Sequence, residues 1–357
     1  MHITCEHGSL YNAVRILETA LGDMDSDAGF IAASVENGRL LLRAMDSTVS
    51  ADCYVETVSN VDWPEGKEVL IEGHRLVQLV KASDEYDVTL GVEDGLLLLS
   101  CHRLQSRLRL GDGGVKRQRS MGEGSCWEVR RSVLRHALEF SRVFAVAGTQ
   151  VIELGSLGMC AGQTAKVCLA QHVDLQQLSC TIHVSACKPL LVLLGSIPDE
   201  TVTVSVFSDS LLVKSLDVSL AVSRSSVSFM DMSQMVDDAE MTATPYVDYV
   251  SRSALVAAMK RMAISADGDE GVVRLLPKSG MLEVSVLSDD GRTAAEGVEA
   301  EVADSISPVV CRCTDVVKAL SAFKGDGLRL RANDHLLWVS GKEVDTELNV
   351  YVARLQD

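Results

Sequence analysis

Lysines and arginines recur on the polar sides of the helices that the sequence predicts, and their chemistry is phosphate contact. Solvation alone would explain any single cation on a polar helix face. The chain, however, has 33 lysines and arginines against 50 aspartates and glutamates, a formal net charge of −17. Cations gathered on the helices of an acidic chain predict one cationic surface that can contact polyphosphate. The predicted contact residues are Arg15, Arg75, Lys81, Arg131, Arg135, Arg142, Lys188, Lys260, Arg261, Lys318 and Lys324.

These helices belong to a sequence unit that occurs three times, over 73–110, 185–222 and 313–352. Each copy reads as an apolar helix, two strands joined by a tight polar turn, and a third strand. The strands DVTLGV, TVTVSV and GLRLRA correspond, as do the returning strands LLLLSC, LLVKSL and LLWVSG. Each copy also has an earlier helix of its own, which makes a unit of about 120 residues, large enough for a separate core.

The repeat predicts an α+β protein of three tandem domains at 1–115, 125–230 and 245–357. Candidate linkers are the segment 111–124 and the acidic, methionine-rich segment 230–244. No apolar run reaches the roughly 18 residues of a membrane helix, and the first residues show no signal-peptide pattern. The sequence therefore predicts a cytoplasmic protein without a membrane partner.

Neither a metal site nor an active site is predicted. The 10 cysteines are scattered, mostly in apolar strand patterns, and are interpreted as reduced core thiols. The 8 histidines do not cluster with nucleophiles or carboxylates, and the pairs 237–238 and 289–290 of aspartates fall in predicted turns. No GxxxxGK[ST] or GxGxxG nucleotide motif occurs. We therefore expect no enzymatic activity and no cofactor.

With this organisation the chain resembles the bacterial-type DNA sliding clamps, the β subunit family of DNA polymerase III. The resemblance is clearest in GRLLLRAMDSTVSADCYVE, in the repeated helix–hairpin–strand segments, and from SRSALVAAMKRMAIS to LNVYVARLQD. It implies domains of two helices packed on two antiparallel four-stranded sheets. It also implies a head-to-tail homodimeric ring that encircles double-stranded DNA, with the cationic helices lining the hole. Further partners would be DNA polymerase and an ATP-dependent clamp loader.

The resemblance also implies a groove for partner peptides, next to the C-terminus. Carried onto this chain, the groove residues would be Ile152, His172, Leu175, Val350 and Val352, with His172 at the position of a family histidine. An ordinary core or edge role for them stays open. The segment around Phe229 and the tail YVARLQD depart from the family pattern, which indicates a divergent member of either host or phage origin.

The ring contact implied by the resemblance joins the last strand of the first unit to the third unit of a second chain. On the first side it would use Leu104, Arg107 and Leu108. On the other side it would use Ile264, Asp267 and Asp269, near the end of a helix. The alternative function is a clamp-fold interaction platform for replication or transcription proteins that does not encircle DNA.

Overall fold

The structure is a computed structural model that describes most of the chain. The described residues are 1–22, 29–83, 86–111, 124–146, 149–163, 165–227, 229, 231–265, 271–287, 293–302 and 307–355. Asp267 and Asp269, predicted at the ring contact, lie outside these residues, as do most of the 111–124 linker and the aspartate pair at 289–290.

The first repeat opens with a short strand and an apolar helix. The carboxylate of Glu6 caps this helix by accepting a hydrogen bond from the backbone N–H of Ser9 (2.8 Å). The elements are β1 (His2–Cys5), α1 (His7–Leu17), β2 (Phe30–Glu36), β3 (Arg39–Met45), β4 (Val49–Val55), β5 (Thr57–Asp62), β6 (Val69–Glu72), α2 (Gly73–Ala82), β7 (Val88–Glu93), β8 (Leu96–Cys101) and β9 (Leu104–Gly111).

The second repeat has a longer first helix, whose apolar face buries Val133, Leu134, Ala137 and Leu138. Val143 is exposed because it lies nine residues, or two and a half turns, after Leu134 and so on the opposite side of the helix. The elements are β10 (Ser125–Arg130), α3 (Arg131–Ala145), β11 (Val151–Gly155), β12 (Gly158–Gln163), β13 (Lys166–Gln171), α4 (Val173–Gln176), β14 (Cys180–His183), α5 (Cys187–Ser196), β15 (Thr201–Val206), β16 (Ser210–Lys214) and β17 (Val218–Ser223).

The segment that follows is the second candidate linker, and the turn predicted there at the aspartate pair 237–238 is wrong. The segment folds as helix α6 (Ser233–Thr242), which includes the aspartate pair at 237–238. Met232, Val236 and Ala239 follow one another at helical spacing and are buried, so packing of this one face favours a helix.

The third repeat begins directly after α6. Its elements are β18 (Thr244–Ser251), α7 (Arg252–Ser265), β19 (Val272–Lys278), β20 (Met281–Leu287), β21 (Thr293–Val302), β22 (Val309–Arg312), α8 (Cys313–Ala322), β23 (Gly327–Ala332), β24 (Leu336–Glu343) and β25 (Thr346–Ala353).

The hairpin turns form where the sequence predicts them. Between β2 and β3, Asn37 (φ 52°) and Gly38 (φ 73°) both have positive φ, and so do Asp94 and Gly95 between β7 and β8. Turns of this kind match the right-handed twist of the strands and favour Asn-Gly and Asp-Gly. The cross-strand pairs also place Leu211, not Leu212, at the position of Leu97, so the sequence correspondence of the second copy shifts by one residue.

The chain divides into two compact units, each with one continuous antiparallel sheet. Unit 1 is Met1–Arg135 with Ser185–Arg224, and unit 2 is His136–Val184 with Ser225–Asp357. The strand order is β10-β15-β16-β17-β4-β3-β2-β6-β9-β8-β7-β1-β5 in unit 1. It is β14-β11-β12-β13-β25-β24-β23-β18-β21-β20-β19-β22 in unit 2. The second repeat thus contributes strands to both sheets, and the three predicted domain boundaries stay a prediction.

Strand alternation separates the core from the surface within each unit. In β23, Leu328, Leu330 and Ala332 are buried, whereas Arg329 and Arg331 are exposed on the other face. The helices pack beside one another: α1 contacts α2 and α5 in unit 1, and α7 contacts α8 in unit 2. Among the described residues, no helix has both the length and the apolar composition to cross a membrane.

The cysteines lie where the apolar patterns predicted. All except Cys126 are buried, and no disulfide joins any of them in the described part of the chain. Burial raises the pKa of the Cys311 thiol to about 12. Within the described ranges, His, Cys, Asp and Glu side chains form no group that could hold a metal ion.

A buried ion pair joins the second repeat to the third inside unit 2. The Nζ atom of Lys166 on β13 donates to Oδ1 of Asp315 in the first turn of α8, and the two side chains are 6% and 18% exposed. A buried charge that loses its partner destabilises the fold strongly, whereas an apolar replacement of both partners is tolerated.

We expect Asp315→Ala to lower the free energy of unfolding by about 3 kcal/mol, because Lys166 is left buried without a carboxylate. Adding Lys166→Met should restore most of this stability. Denaturant titration of the single and double variants measures both effects. The matched control is Glu283→Ala, which removes an exposed partner of Lys278 and should change stability by less than about 1 kcal/mol. Equal effects of Asp315→Ala and Glu283→Ala would contradict the assignment.

Candidate nucleic-acid interface and partner surfaces

The predicted cations occupy the helices as expected, with one exception. Lys324 lies just beyond the end of α8, because that helix ends at Ala322. Three of the predicted cations are half-buried, namely Arg15, Arg131 and Lys318. The others are exposed, namely Arg75, Lys81, Arg135, Arg142, Lys188, Lys260, Arg261 and Lys324.

Several of the exposed cations already have carboxylate partners. Nζ of Lys81 lies 2.6 Å from Oε2 of Glu18, and Nε of Arg75 lies 3.1 Å from Oε1 of Glu72. The guanidinium of Arg261 makes a bidentate contact with Glu296, which lowers the pKa of that carboxyl. The ammonium of Lys324 similarly contacts Glu139 on α3. These pairs offset part of the positive potential of the helices.

Two of the half-buried cations, Arg131 and Lys318, are less available to an external anion than the exposed ones. Nη1 of Arg131 donates to the carbonyls of Leu194 (3.2 Å) and Ile197 (2.6 Å), where it satisfies the C-terminal end of α5. Burial, followed by the nearby charge of Lys166, lowers the pKa of Lys318. Arg131 therefore has structural partners in addition to any external one, whereas the surroundings of Lys318 disfavour its charged form.

The cations best placed to contact an external anion are Arg142, Lys188 and Lys260. They project from α3, α5 and α7, are exposed, and have no carboxylate partner among the described ion pairs. A surface cation without such a partner keeps its full charge for an external phosphate, which makes these three the strongest members of the predicted set.

Asp326 fixes the start of α7, the helix that carries Lys260. Its carboxylate accepts hydrogen bonds from the backbone N–H of Ser253 (2.9 Å) and the hydroxyl of Ser251 (2.7 Å). These hydrogen bonds, the one from the Ser253 N–H first, lower the pKa of Asp326 below its ordinary value of 3.8. Asp326 thus caps α7 from a distant loop, a role that the sequence pattern does not reveal.

Besides the terminal strands of the two sheets, β9 and β21 each leave most of one edge unpaired within the described residues. β9 pairs with β8 along Leu104–Arg109 but reaches β6 only through Leu110 and Gly111. β21 pairs with β20 along 293–299 but reaches β18 only near its end. The corresponding strands elsewhere are covered on both sides, because β17 pairs with β4 and β25 pairs with β13.

The residues predicted at the ring contact differ in their exposure. Arg107 is exposed on β9 and Leu104 is half-buried, whereas Leu108 is 2% exposed and lies in the core of unit 1. Ile264 is 81% exposed in the last turn of α7. A contact at this strand would therefore use the edge itself and the exposed Arg107, while Leu108 stabilises the unit.

The residues predicted for the peptide groove do not come together at the surface. Ile152, Leu175, Val350 and Val352 are all fully buried. His172 caps the short helix α4, since its Nδ1 atom accepts a hydrogen bond from the backbone N–H of Asp174 (3.0 Å). The partner-peptide groove stays a prediction. Because these four residues are buried, the walls of such a groove would have to be formed by residues adjacent to them in the same strands.

Those neighbours lie on the opposite face of the same strands. Val151, Leu169 and Tyr351 belong to a separate apolar cluster that also includes Trp338 and residues of α6. Farther along the strands, an open groove of about 810 Å³ is lined by residues that include Gln171, Arg329, Ser340, Lys342 and Glu347. The sequence analysis missed this face of the sheet. The alternation of side chains along the strands that carry Trp338 and Tyr351 could have indicated that both residues lie on the face opposite to Val350 and Val352.

The fold of the whole chain matches solved structures. The DNA polymerase III β subunit from Thermotoga maritima superposes with a TM-score of 0.81 at 16% identity, covering 100% of this chain and 99% of that one. A DNA polymerase sliding clamp from Pseudomonas aeruginosa gives 0.80 at 16% identity, and a Helicobacter pylori β clamp gives 0.79 at 15%, both with 100% coverage of each chain. The chain has the fold of a bacterial sliding clamp. Neither a family model nor a curated protein sequence matches it.

The clamp fold fits the repeat that the sequence predicted. Antiparallel sheets and helices recur along the chain, and the match extends over all of it. At this identity the likeness establishes the fold, including its α+β class, and the low identity fits a divergent sequence.

The capping role of Asp326 makes the stability of α7 depend on pH. Because the pKa of the folded state is depressed, the stabilisation is present above pH 3.8 and is lost as pH falls through the lower pKa of the folded state. Asp326→Asn should lower the melting temperature at neutral pH, and this difference should shrink as the pH falls below 3.8. Thermal unfolding across that range measures the effect. A difference that is constant with pH would contradict the role of the carboxylate.

Proposed function

We propose that this chain is a DNA sliding clamp, a processivity factor that closes around duplex DNA as a head-to-tail homodimer and tethers a DNA polymerase. The proposal rests on the full-length clamp fold together with the two unpaired strand edges. Such a ring holds DNA by enclosing it, so it needs no catalytic group and no contact with the bases.

The observation that carries the proposal is the repeated strand pairing between units of the repeat. The last strand of the second repeat pairs with β4 of the first, and the last strand of the third pairs with β13 of the second. By the same rule, the last strand of the first repeat, β9, would pair with the equivalent strand of a third repeat, β21. In the proposed dimer a second copy supplies that strand, and the same contact repeats by symmetry.

Charge supports the pairing of these two edges. The exposed face of β9 carries Arg107 and Arg109, whereas the unpaired stretch of β21 carries the exposed Glu299. Opposite charges on facing strands fix register and disfavour pairing of a strand with its own copy. An unpaired strand edge also risks aggregation, which a partner strand prevents.

The proposed DNA surface is the set of helix cations, with Arg142, Lys188 and Lys260 as its strongest members. Contacts of this kind are non-specific, depend strongly on salt, and allow sliding. The net charge of −17 would keep DNA away from the rest of the chain. Loading would require a separate ATP-dependent clamp loader, and partner proteins would dock on the exposed sheet face of unit 2.

A clamp-fold platform that never encircles DNA is the second candidate. The observation that favours it is the number of helix cations that already have carboxylate partners, including Arg75, Lys81 and Arg261. The two candidates differ in whether retention on DNA depends on free ends.

Retention on a linear duplex with biotin at both ends separates the candidates without a loader. A ring can thread over an open end and is trapped when streptavidin then blocks both ends. We expect protein added before streptavidin to survive a high-salt wash, and protein added afterwards to be washed away. Equal retention in both orders would contradict encirclement.

Matched variants connect this result to the strand edges. Arg107→Glu with Arg109→Glu should sediment as a monomer and lose the trapped fraction, and adding Glu299→Arg should restore part of it. The control is Arg329→Glu, an exposed arginine on β23, which is already paired with β18 and β24. It should remain dimeric and trapped.

If the helix cations contact DNA, cations without a carboxylate partner should contribute more to the salt dependence of DNA binding than cations that have one. Replacing Arg142, Lys188 and Lys260 with alanine should reduce the slope of log affinity against log salt by about 2 to 3, since each phosphate that the protein no longer neutralises lowers it by roughly 0.9. The matched set Arg75, Lys81 and Arg261, whose charges are already offset, should reduce it less. Filter binding to a short duplex between low and moderate salt measures both slopes, and equal reductions would contradict the ranking.

A further inference from the structure

Helix α6 covers an apolar floor on the outer face of the unit 2 sheet. The floor is formed by Val151, Cys160, Val167, Leu169, Trp338 and Tyr351, all buried. Met232, Val236 and Ala239 of α6 and its N-cap pack onto it. The opposite face of the same strands belongs to the main core, where the Cys168 thiol lies beside Ser141 of α3. The floor is therefore a second, separate cluster with α6 as its roof.

The attachment of α6 to this floor is almost entirely apolar. Among the described residues, one side-chain hydrogen bond ties the helix to the sheet side, from Nδ2 of Asn333 to Oγ1 of Thr242 (3.0 Å), and it is exposed. The outer face of α6 carries exposed carboxylates at Asp237, Asp238 and Glu240. Methionine side chains adapt to different surroundings, so a contact made by them is easily remade.

One buried group under α6 opposes the covered arrangement. The hydroxyl of Tyr351, a residue that is 1% exposed, has no hydrogen-bond partner within the described part of the chain. Its polar neighbours are satisfied, since Nε1 of Trp338 donates to Oδ1 of Asn349 (2.8 Å) and Nδ2 of Asn349 donates to Oε1 of Gln171 (2.8 Å). An unsatisfied buried hydroxyl disfavours the covered state by a factor of about ten relative to one in which water or a ligand reaches it.

Beyond the apolar floor, the same face of the sheet continues into an open groove. Along β24 the outward positions run from Trp338 to Ser340 and Lys342, and along β13 from Leu169 to Gln171. Ser340, Lys342 and Gln171 line the open groove of about 810 Å³. A chain segment lying in this groove would meet the covered floor next to it, and would reach that floor only where α6 has moved away.

We propose that α6 is a displaceable strap: it covers the apolar floor in the free chain and leaves when a short apolar partner segment takes its place. The replacing segment would supply apolar side chains in place of Met232 and Val236 and a hydrogen-bond acceptor for the Tyr351 hydroxyl. The binding of a partner segment in place of α6 rests on the proposed function. The opening of α6 does not, because it can be measured on the free chain.

Oxidation of methionines by hydrogen peroxide, followed residue by residue with mass spectrometry, measures the opening without DNA or a partner. Met232, at the N-cap of the strap, is 3% exposed and Met259 in the core of unit 2 is 0% exposed, while Met241 is 85% exposed. We expect Met232 to be oxidised at least tenfold faster than Met259 despite their similar burial, and more slowly than Met241. A Met232 rate as low as that of Met259 would overturn the proposal.

Two variants test the cause of the opening. Tyr351→Phe removes the unsatisfied hydroxyl and should slow oxidation of Met232 about tenfold without changing Met241. Tyr246→Phe is the matched control, because the buried Tyr246 hydroxyl already donates to the Leu275 carbonyl (2.7 Å), and it should not slow Met232. Val236→Asp should release the strap and bring Met232 close to Met241, with a protected Met259 showing that the unit stays folded.

An unchanged Met232 rate in Tyr351→Phe would contradict the strap. Because these measurements use the free chain, they can fail while trapping on end-blocked DNA succeeds, or succeed while trapping fails. The failure of the strap and the failure of the clamp proposal are therefore distinguishable.

Discussion

Pairing of strand edges between successive repeats is the interaction on which the rest of the structure depends. Each sheet continues from one repeat into the next, through β17 on β4 in unit 1 and β25 on β13 in unit 2. A backbone edge left in water is a template for another strand, so the same pairing rule indicates which strand the open edges of β9 and β21 require. The helices follow from it, because a continuous sheet with one apolar face needs a row of helices to cover that face.

The helices carry many of the cations of this acidic chain, but not every one of these cations is available to an external anion. Lys166 and Asp315 are used inside unit 2, and Arg131 satisfies carbonyls at the end of α5. Each such contact removes one positive charge from the surface that an external phosphate can meet. The cations without a carboxylate partner in the described part of the chain, such as Lys188 and Lys260, therefore matter more than their number suggests.

The two faces of the unit 2 sheet have different roles because side chains alternate along a strand. Val350 and Val352 point into the helix-covered core, while Asn349 and Tyr351, which alternate with them, point outward. Because side chains alternate, an assignment that is shifted by one residue along a strand selects the opposite face of the sheet. This is why the residues first considered for a partner groove are core residues, and why the outer face with its α6 cover was overlooked.

The sequence by itself determined the repeat, the α+β class, the positions of most helices and hairpins, and the burial of the cysteines. These features depend on local periodicity and on turns such as Asn37-Gly38, which one segment of chain specifies alone. Tertiary structure decided which cations keep their charge, which face Trp338 and Tyr351 occupy, and that the acidic segment after Phe229 is a helix. It also placed Asp326 at the start of α7. Each of these depends on partners distant in sequence, and local patterns carry no information about which distant residues will meet.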